Sequence, residues 1–171
     1  MSIENVVLVN EKDEVIGSME KIEAHEKALL HRAFSVFVIN KNNELMLQRR
    51  ALGKYHSPGL WTNTCCSHPR VEETYENGAH RRLVEEMGFD CDLKDVFSFI
   101  YKAPFANGLT EHELDHVFVG YSETEPIINS DEVDSWKWIA MAELKQDIKQ
   151  NPDNYTVWFK IIFEKFAEHF D

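Results

Sequence analysis

Glu72-Glu73-Thr74-Tyr75-Glu76-Asn77-Gly78-Ala79-His80-Arg81-Arg82-Leu83-Val84-Glu85-Glu86-Met87-Gly88-Phe89 reads as one helix with both ends marked. The acidic Glu72-Glu73-Thr74 suits a helix N-terminus, where carboxylates meet the positive end of the backbone dipole. The helical pattern runs to Met87, and Gly88 can close it in the left-handed conformation that glycine tolerates. The polar side is dense with Arg81, Arg82, Glu85 and Glu86. A solvated charged face is the ordinary account of such a run. Carboxylates gathered on one face also suit Mg²⁺, a hard ion that takes oxygen ligands and shares them with phosphate.

Just before this helix stands Trp61-Thr62-Asn63-Thr64-Cys65-Cys66-Ser67-His68-Pro69, read as the central strand. In an extended segment, residues i and i+2 project to the same side, so Cys66 and His68 would face one cavity together. Pro69 then ends the strand and turns the chain. A buried thiol and a hydrogen-bonded imidazole would be the ordinary account of an isolated Cys-x-His. Basic residues cluster around the stretch, with Arg49, Arg50 and Lys54 before it and Arg81 with Arg82 after it.

Toward the N-terminus, residues 5–10 and 15–19 form a hairpin around Glu11-Lys12-Asp13-Glu14. Residues 21–30 are helix-like or irregular and carry His25. A strong strand over 31–39 turns at Asn40-Lys41-Asn42-Asn43 and returns over 45–49, and residues 53–59 are a loop. Toward the C-terminus, strands are predicted over 96–101, 113–121 and 133–139, with a loop at 104–110. Helices over 141–150 and 155–170 follow, separated by Asn151-Pro152-Asp153. Strands interleaved with helices predict an α/β sandwich of mixed β-sheets around one central helix, formed by residues 1–171 as a single domain.

A net charge of −12 over 171 residues argues against general nucleic-acid or anionic-membrane binding, because the average field repels polyanions. A locally basic pocket for a small anion is compatible with it. No apolar run is long enough to span a bilayer, and Met1-Ser2-Ile3-Glu4-Asn5 lacks the start of a signal peptide. Three cysteines, two of them adjacent, make a poor disulfide framework and fit a reducing cytoplasm.

The helix resembles the Nudix box, the strand-loop-helix signature whose acidic face binds divalent cations that hold a diphosphate. Glu73, Arg81, Glu85, Glu86, Gly88 and Phe89 fall at that family's spacing. Two positions depart from it. Ser67 stands for the leading Gly, and Arg82 stands for the Glu that follows the box Arg. That Glu belongs to the hydrolases' metal-and-base cluster, so Arg82 removes a carboxylate where nucleotide hydrolysis needs one and adds a charge that favours diphosphate.

Over residues 21–158 the chain resembles one branch of that superfamily, the type I isopentenyl-diphosphate delta-isomerases. The branch's Trp-Thr-Asn-x-x-Cys-(Gly or Ser)-His-Pro motif stands as Trp61 to Pro69, which makes Cys66 rather than Cys65 the equivalent of the essential cysteine. Its Glu-x-Glu pair stands as Glu111-His112-Glu113 and its paired histidines as His25 and His31. The implied reaction moves a double bond by adding a proton at one carbon and removing another from its neighbour, through a tertiary carbocation, in isoprenoid biosynthesis. Such a site needs a strong acid and a base on opposite faces of the substrate.

The resemblance implies Cys66 on one face and Glu113 on the other, with Tyr101 hydrogen-bonded near Glu113. Which of the two protonates the alkene stays open. It implies one Mn²⁺, Zn²⁺ or Mg²⁺ held by His25, His31, His68, Glu111 and Glu113, a mixed nitrogen and oxygen set suited to such ions. Lys21, Arg50, Lys54 and Arg82 match phosphate-contacting positions, and Glu86 matches the ligand of a second, diphosphate-bridging Mg²⁺. Arg49 reads instead as an exposed surface charge. Core packing is the default reading of the apolar stripe that Trp158 forms with Ile161, Ile162 and Phe166, but the resemblance implies that Trp158 walls the pocket with an indole face that tolerates a carbocation, worth roughly 1–2 kcal/mol or more. The expected partner is a small allylic diphosphate, with no nucleic acid, no membrane and no redox cofactor, for a monomer or weak homodimer in the cytoplasm. Two alternatives are a Nudix hydrolase of a nucleotide diphosphate derivative and a non-catalytic metal- or diphosphate-binding module.

Overall fold

In the computed structural model, residues 4–54, 57–105 and 107–168 are described. The expectations touching residues 1–3, Tyr55 and His56 in the 53–59 loop, Ala106 in the 104–110 loop, and the last helix beyond residue 168 lie outside those residues. The elements run β1 (Asn5–Val9), β2 (Val15–Glu20), α1 (Lys21–Glu26), β3 (His31–Ile39), β4 (Glu44–Arg50), β5 (Trp61–Thr62), β6 (Cys65–Ser67), α2 (Tyr75–Met87), β7 (Lys94–Pro104), β8 (Thr110–Tyr121), β9 (Val133–Ala140), α3 (Met141–Gln150) and α4 (Val157–Glu168).

β3 is the hub. It runs parallel to β8 from His31↔Glu113 to Ile39↔Tyr121 and antiparallel to β6 with Ser35 opposite Cys66. β1 and β4 also join β3, β7 joins β8, and β9 joins β4, so the nine strands form one connected mixed sheet. The α/β fold class expected from the sequence is thus observed.

The alternation of β3 explains the layering. Phe34, Val36 and Val38 pack with Met46, Leu83 and Met87 toward α2, whereas Phe37 and Ile39 pack with Val117, Val119, Phe159 and Phe166 toward α4. Because side chains alternate with period two, a one-residue slip would exchange the two cores. Cys65 and Cys66 obey the same rule, the first packing in the α2 cluster and the second against the α4 cluster.

α2 ends where its sequence says it should. Thr74 caps the first turn, its Oγ1 accepting from the Asn77 amide at 3.0 Å, and Gly88 closes the helix at φ 71°. A side chain at Gly88 would meet the Ile127 carbonyl at 2.4 Å, so both conformation and contact require glycine there. Gly78 is needed for another reason: an added Cβ would lie 2.9 Å from Phe34 and 2.9 Å from the Glu73 carboxylate, holding the helix off the sheet.

Several boundaries differ from expectation. The single strand expected over 61–69 is two, β5 on β4 and β6 on β3. Between them Asn63 donates to the Val36 and Cys65 carbonyls, and Thr64 accepts from the Val38 amide while donating to the Met46 carbonyl. Side chains thus replace the ladder bonds as the chain changes partner. The segment 21–30 is helical only over Lys21–Glu26, capped by the Glu20 carboxylate and followed by Ala28 at φ 55°. α4 starts at Val157 because the Thr156 hydroxyl caps it, accepting from the Phe159 amide at 3.3 Å. β7 extends past 96–101 in both directions along its antiparallel ladder with β8.

Candidate active site

The sheet face that meets α4 opens at one end into a cavity lined by Cys66, His68, Tyr101, Glu111, Glu113, Asp115 and Trp158, together with Lys21, Arg50, Lys54, Arg82 and Glu86. Apart from His25 and His31, which lie in the histidine cluster beside it, every site residue expected from the sequence lines this cavity.

The nitrogen-rich corner brings together α1, β3, β8 and the residue that follows β6. Ligand atoms of His25, His31, His68 and Glu113 all lie within 4.8 Å of one another. Glu113 Oε1 is 3.3 Å from His68 Nε2 and 3.7 Å from His31 Nε2. His25 Nδ1 lies 2.6 Å from the Lys21 carbonyl and His31 Nδ1 2.8 Å from the Leu29 carbonyl. A ring N–H donating at Nδ1 fixes the tautomer in which Nε2 carries the lone pair, which is how metal-binding imidazoles are commonly oriented. Burial lowers the His31 pKa to about 4, so its ring is neutral at ordinary pH. Its Nε2 is buried and has no hydrogen-bond partner among the described residues. Imidazole nitrogens gathered beside a carboxylate, with His25 and His31 oriented by backbone carbonyls, fit a divalent metal ion.

Glu111, the fifth ligand expected, is not in that group of four; its carboxylate instead accepts a hydrogen bond from the Tyr101 hydroxyl. Alternation on β8 turns Glu111, Glu113 and Asp115 to the same face, and all three are at least 95% buried. Burial, then the neighbouring Glu111 and Asp115, push the Glu113 carboxyl well above the usual range. Burial also raises Asp115 to about 8, against the hydrogen bond from Ser35. Burial keeps the Cys66 thiol protonated, although Arg50 pulls the other way. The Tyr101 phenol is raised by burial and by Glu111 and Glu113, so it remains a donor.

The opposite side is cationic but already paired. Lys21 meets Glu4 at 2.9 Å and Lys54 meets Glu132 at 2.5 Å. Arg82 reaches Glu86 at 3.2 Å, Glu85 at 3.3 Å and Glu132 at 3.5 Å. Although burial opposes its charge, Glu86 and its other anionic neighbours hold the Arg82 pKa above the ordinary guanidinium value. Glu86 is steadied further by Gln48 and by the Cys65 thiol, each donating at 3.2 Å. The Arg50 guanidinium lies 5.2 Å from the Trp158 ring centre, and Trp158 is 3% exposed, so this indole is both core and cavity wall.

Two charged residues of the sequence reading lie elsewhere. Arg49 is half-buried rather than a free surface charge, donating to the Gly59 carbonyl at 2.8 Å and meeting Asp134 at 3.2 Å. Arg81 locks onto Glu73 at 2.9 and 3.0 Å and onto Glu85 at 3.0 Å, which braces the start of α2. Sequence reasoning missed Asp115, Glu132, Glu4 and Phe34 in the cavity wall. Asp115 was visible in principle, being next in the alternation after Glu111 and Glu113.

The NUDIX domain matches residues 29–159, and the architecture agrees with solved structures of low sequence identity. DR0079 from Deinococcus radiodurans superposes with a TM-score of 0.72 at 24% identity, covering 86% of this chain and 90% of that one. The NUDIX domain of Shewanella oneidensis NrtR, solved with ADP ribose, superposes with a TM-score of 0.64 at 15% identity, covering 90% and 100%. Fold and site therefore define a Nudix-domain protein. Curated relatives narrow the class. Isopentenyl-diphosphate Delta-isomerase 2 of Photorhabdus laumondii is 57% identical over 93% of this chain and 90% of its own length. Isopentenyl-diphosphate Delta-isomerase 2 of Aromatoleum aromaticum is 50% identical over 95% and 86%. The chain belongs to the isopentenyl-diphosphate Delta-isomerase family of Nudix proteins. Among the described residues no helix is long and apolar enough to cross a membrane.

Proposed function

We propose that this protein interconverts isopentenyl diphosphate and dimethylallyl diphosphate, with the diphosphate left intact. The observation that carries the reading is that Cys66 and Glu113 line one buried cavity, while Arg82 stands on α2 where a Nudix hydrolase would place a carboxylate.

Moving the double bond requires one proton delivered to the terminal carbon and another removed from the internal carbon. Cys66 and Glu113 are the exchanging pair; burial raises the proton affinity of both, and in each turnover the donor starts protonated and the acceptor starts as the anion. One donates and the other accepts; the reverse reaction exchanges their roles. Tyr101 positions the carboxylate row through its bond to Glu111 and extends the hydrogen-bonded path to Glu113. His25, His31, His68 and Glu113, with Glu111 beside them, would hold one Mn²⁺, Zn²⁺ or Mg²⁺, and Glu86 in the cavity wall would be the ligand of a Mg²⁺ that neutralises the diphosphate. When bound, these ions supply positive charge that lowers the proton affinity of neighbouring ligands and neutralises phosphate oxygens.

Lys21, Arg50, Lys54 and Arg82 bind the diphosphate by exchanging carboxylate partners such as Glu132 and Glu4 for phosphate oxygens. Trp158 covers the hydrocarbon end, excludes water and offers a π face to the cation. The three free cysteines support a reducing, cytoplasmic setting for residues 1–171 as one domain, a monomer or weak homodimer.

The test supplies metal-replete protein with isopentenyl diphosphate, and separately with nucleoside diphosphate derivatives, and separates the products by chromatography. Dimethylallyl diphosphate from the first and no phosphate or nucleotide product from the second is the expected outcome. Hydrolysis of the nucleotide substrates without allylic product would replace this reading with that of a Nudix hydrolase.

A further inference from the structure

Asp115 and Ser35 form a buried pair in the cavity wall for which the reaction above supplies no role. Asp115 is 1% exposed and Ser35 0%. The Ser35 hydroxyl donates to Asp115 Oδ2 at 3.0 Å, and Asp115 Oδ1 is buried with no hydrogen-bond partner among the described residues. A core position would not demand this. The next residues of β8 on the same face, Val117 and Val119, are apolar and pack in the α4 cluster. A valine at 115 would continue that cluster, whereas a carboxyl group carries the cost of an unsatisfied buried acceptor.

The register places the pair beside the thiol. Ser35 on β3 is the direct antiparallel partner of Cys66 on β6, so their side chains share one face as nearest cross-strand neighbours. A serine hydroxyl has one proton and two lone pairs. With the proton committed to Asp115, Ser35 can only accept from its cross-strand neighbour.

We infer that Ser35 and Asp115 act as one positioning unit for the Cys66 thiol. Asp115 fixes the rotation of the Ser35 hydroxyl, and Ser35 then presents a lone pair that holds the S–H in one orientation in the cavity. The inference rests on the assignment of Cys66 to proton transfer. Misplacing a reacting group by about 1 Å can cost on the order of 100-fold in rate without weakening substrate binding.

The experiment compares Ser35→Ala, Asp115→Leu, the double variant and Asp115→Asn as metal-replete proteins. Two readouts are taken: steady-state kinetics on isopentenyl diphosphate, and the rate of iodoacetamide alkylation at Cys66 followed by mass spectrometry. Ser35→Ala and Asp115→Leu are each expected to lower kcat by roughly 10- to 100-fold, with KM little changed. The double variant should be no worse than the more severe single one, as for residues acting as a unit. Both single variants should shift the alkylation rate in the same direction. Asp115→Asn, whose amide oxygen still accepts from Ser35, should recover most of both properties. Additive losses, an unchanged alkylation rate, or kcat losses that merely follow a lower Tm would overturn the positioning role. If wild-type protein fails to isomerise the substrate, the functional reading falls, and the alkylation rates still decide whether the pair positions the thiol.

Discussion

The two sides of the cavity are built on opposite electrostatic plans. On the β8 side, Glu111, Glu113 and Asp115 crowd into a dry wall, and burial with the neighbouring carboxylates raises Glu113 and Asp115 above the ordinary carboxylate range. On the α2 side, Arg82, Lys54 and Lys21 are half-buried and paired with Glu86, Glu132 and Glu4. The first plan yields carboxyl groups with raised proton affinity; the second yields fixed charges that can exchange one anion for another. Neighbouring residues follow the same division: Cys66 faces the cavity with its proton held, while Cys65, one residue earlier, serves α2 by donating to Glu86.

The largest expected effect separates the cysteines. Cys66→Ala should lower kcat by roughly 10²- to 10⁴-fold, the range of a lost general acid or base, while Cys65→Ala keeps most activity in the same assay. The opposite ranking would exchange their places. Glu113→Gln should be nearly as severe and should also weaken metal retention, measured by elemental analysis after dialysis, because the carboxylate proposed for proton transfer also lies against His31 and His68.

On the cationic side, Arg82→Gln should act mainly on binding. Losing charge-assisted hydrogen bonds worth about 1.5–3 kcal/mol predicts a KM increase of roughly 10- to 100-fold, with kcat changed much less. A kcat loss at constant KM would place Arg82 with the proton-transfer groups instead. Trp158 stands between the two plans, next to Arg50 and in the α4 core. Trp158→Leu keeps apolar bulk but removes the π face, so kcat should fall about tenfold, equivalent to 1–2 kcal/mol, with little change in Tm; a Tm loss that accounts for the whole effect would leave it a packing residue.

The last effect is on stability rather than on turnover. The folded pKa of His31, about 4, lies below its ordinary 6.5, so the unfolded chain takes up the proton first as pH falls. The contribution of His31 is therefore present above pH 6.5 and lost between about 6.5 and about 4. Glu113 and Asp115, with raised values, act in the opposite sense, so wild-type protein is compared with His31→Gln in the presence of a chelator. The unfolding free energies should converge or cross by on the order of 3 kcal/mol over that window. Parallel pH profiles would mean that His31 is not held neutral.

Local chemistry was legible in the sequence. Thr74 and Gly88 bound α2 because capping depends on a few adjacent residues, and Cys66 and His68 share the cavity because spacing by two fixes a common side. What depended on long-range pairing was not legible. Ser35 lies beside Cys66 through an antiparallel ladder, and Asp115 near both through a parallel one, connections separated by tens of residues. The break between β5 and β6 arises from Asn63 and Thr64 side chains bonding to β3 and β4 backbone, which no strand pattern announces. Trp158 was ambiguous for a simpler reason: a residue at the edge of a core is also the wall of whatever lies next to it.

The central claim is proton addition and removal in a cavity that leaves the diphosphate whole. Metal-replete protein incubated with isopentenyl diphosphate in D₂O, followed by proton, deuterium and phosphorus NMR, tests it directly. Deuterium entering dimethylallyl diphosphate and returning into isopentenyl diphosphate, with the diphosphate resonances intact, is the predicted result. Released phosphate, or allylic product without deuterium from solvent, would contradict it.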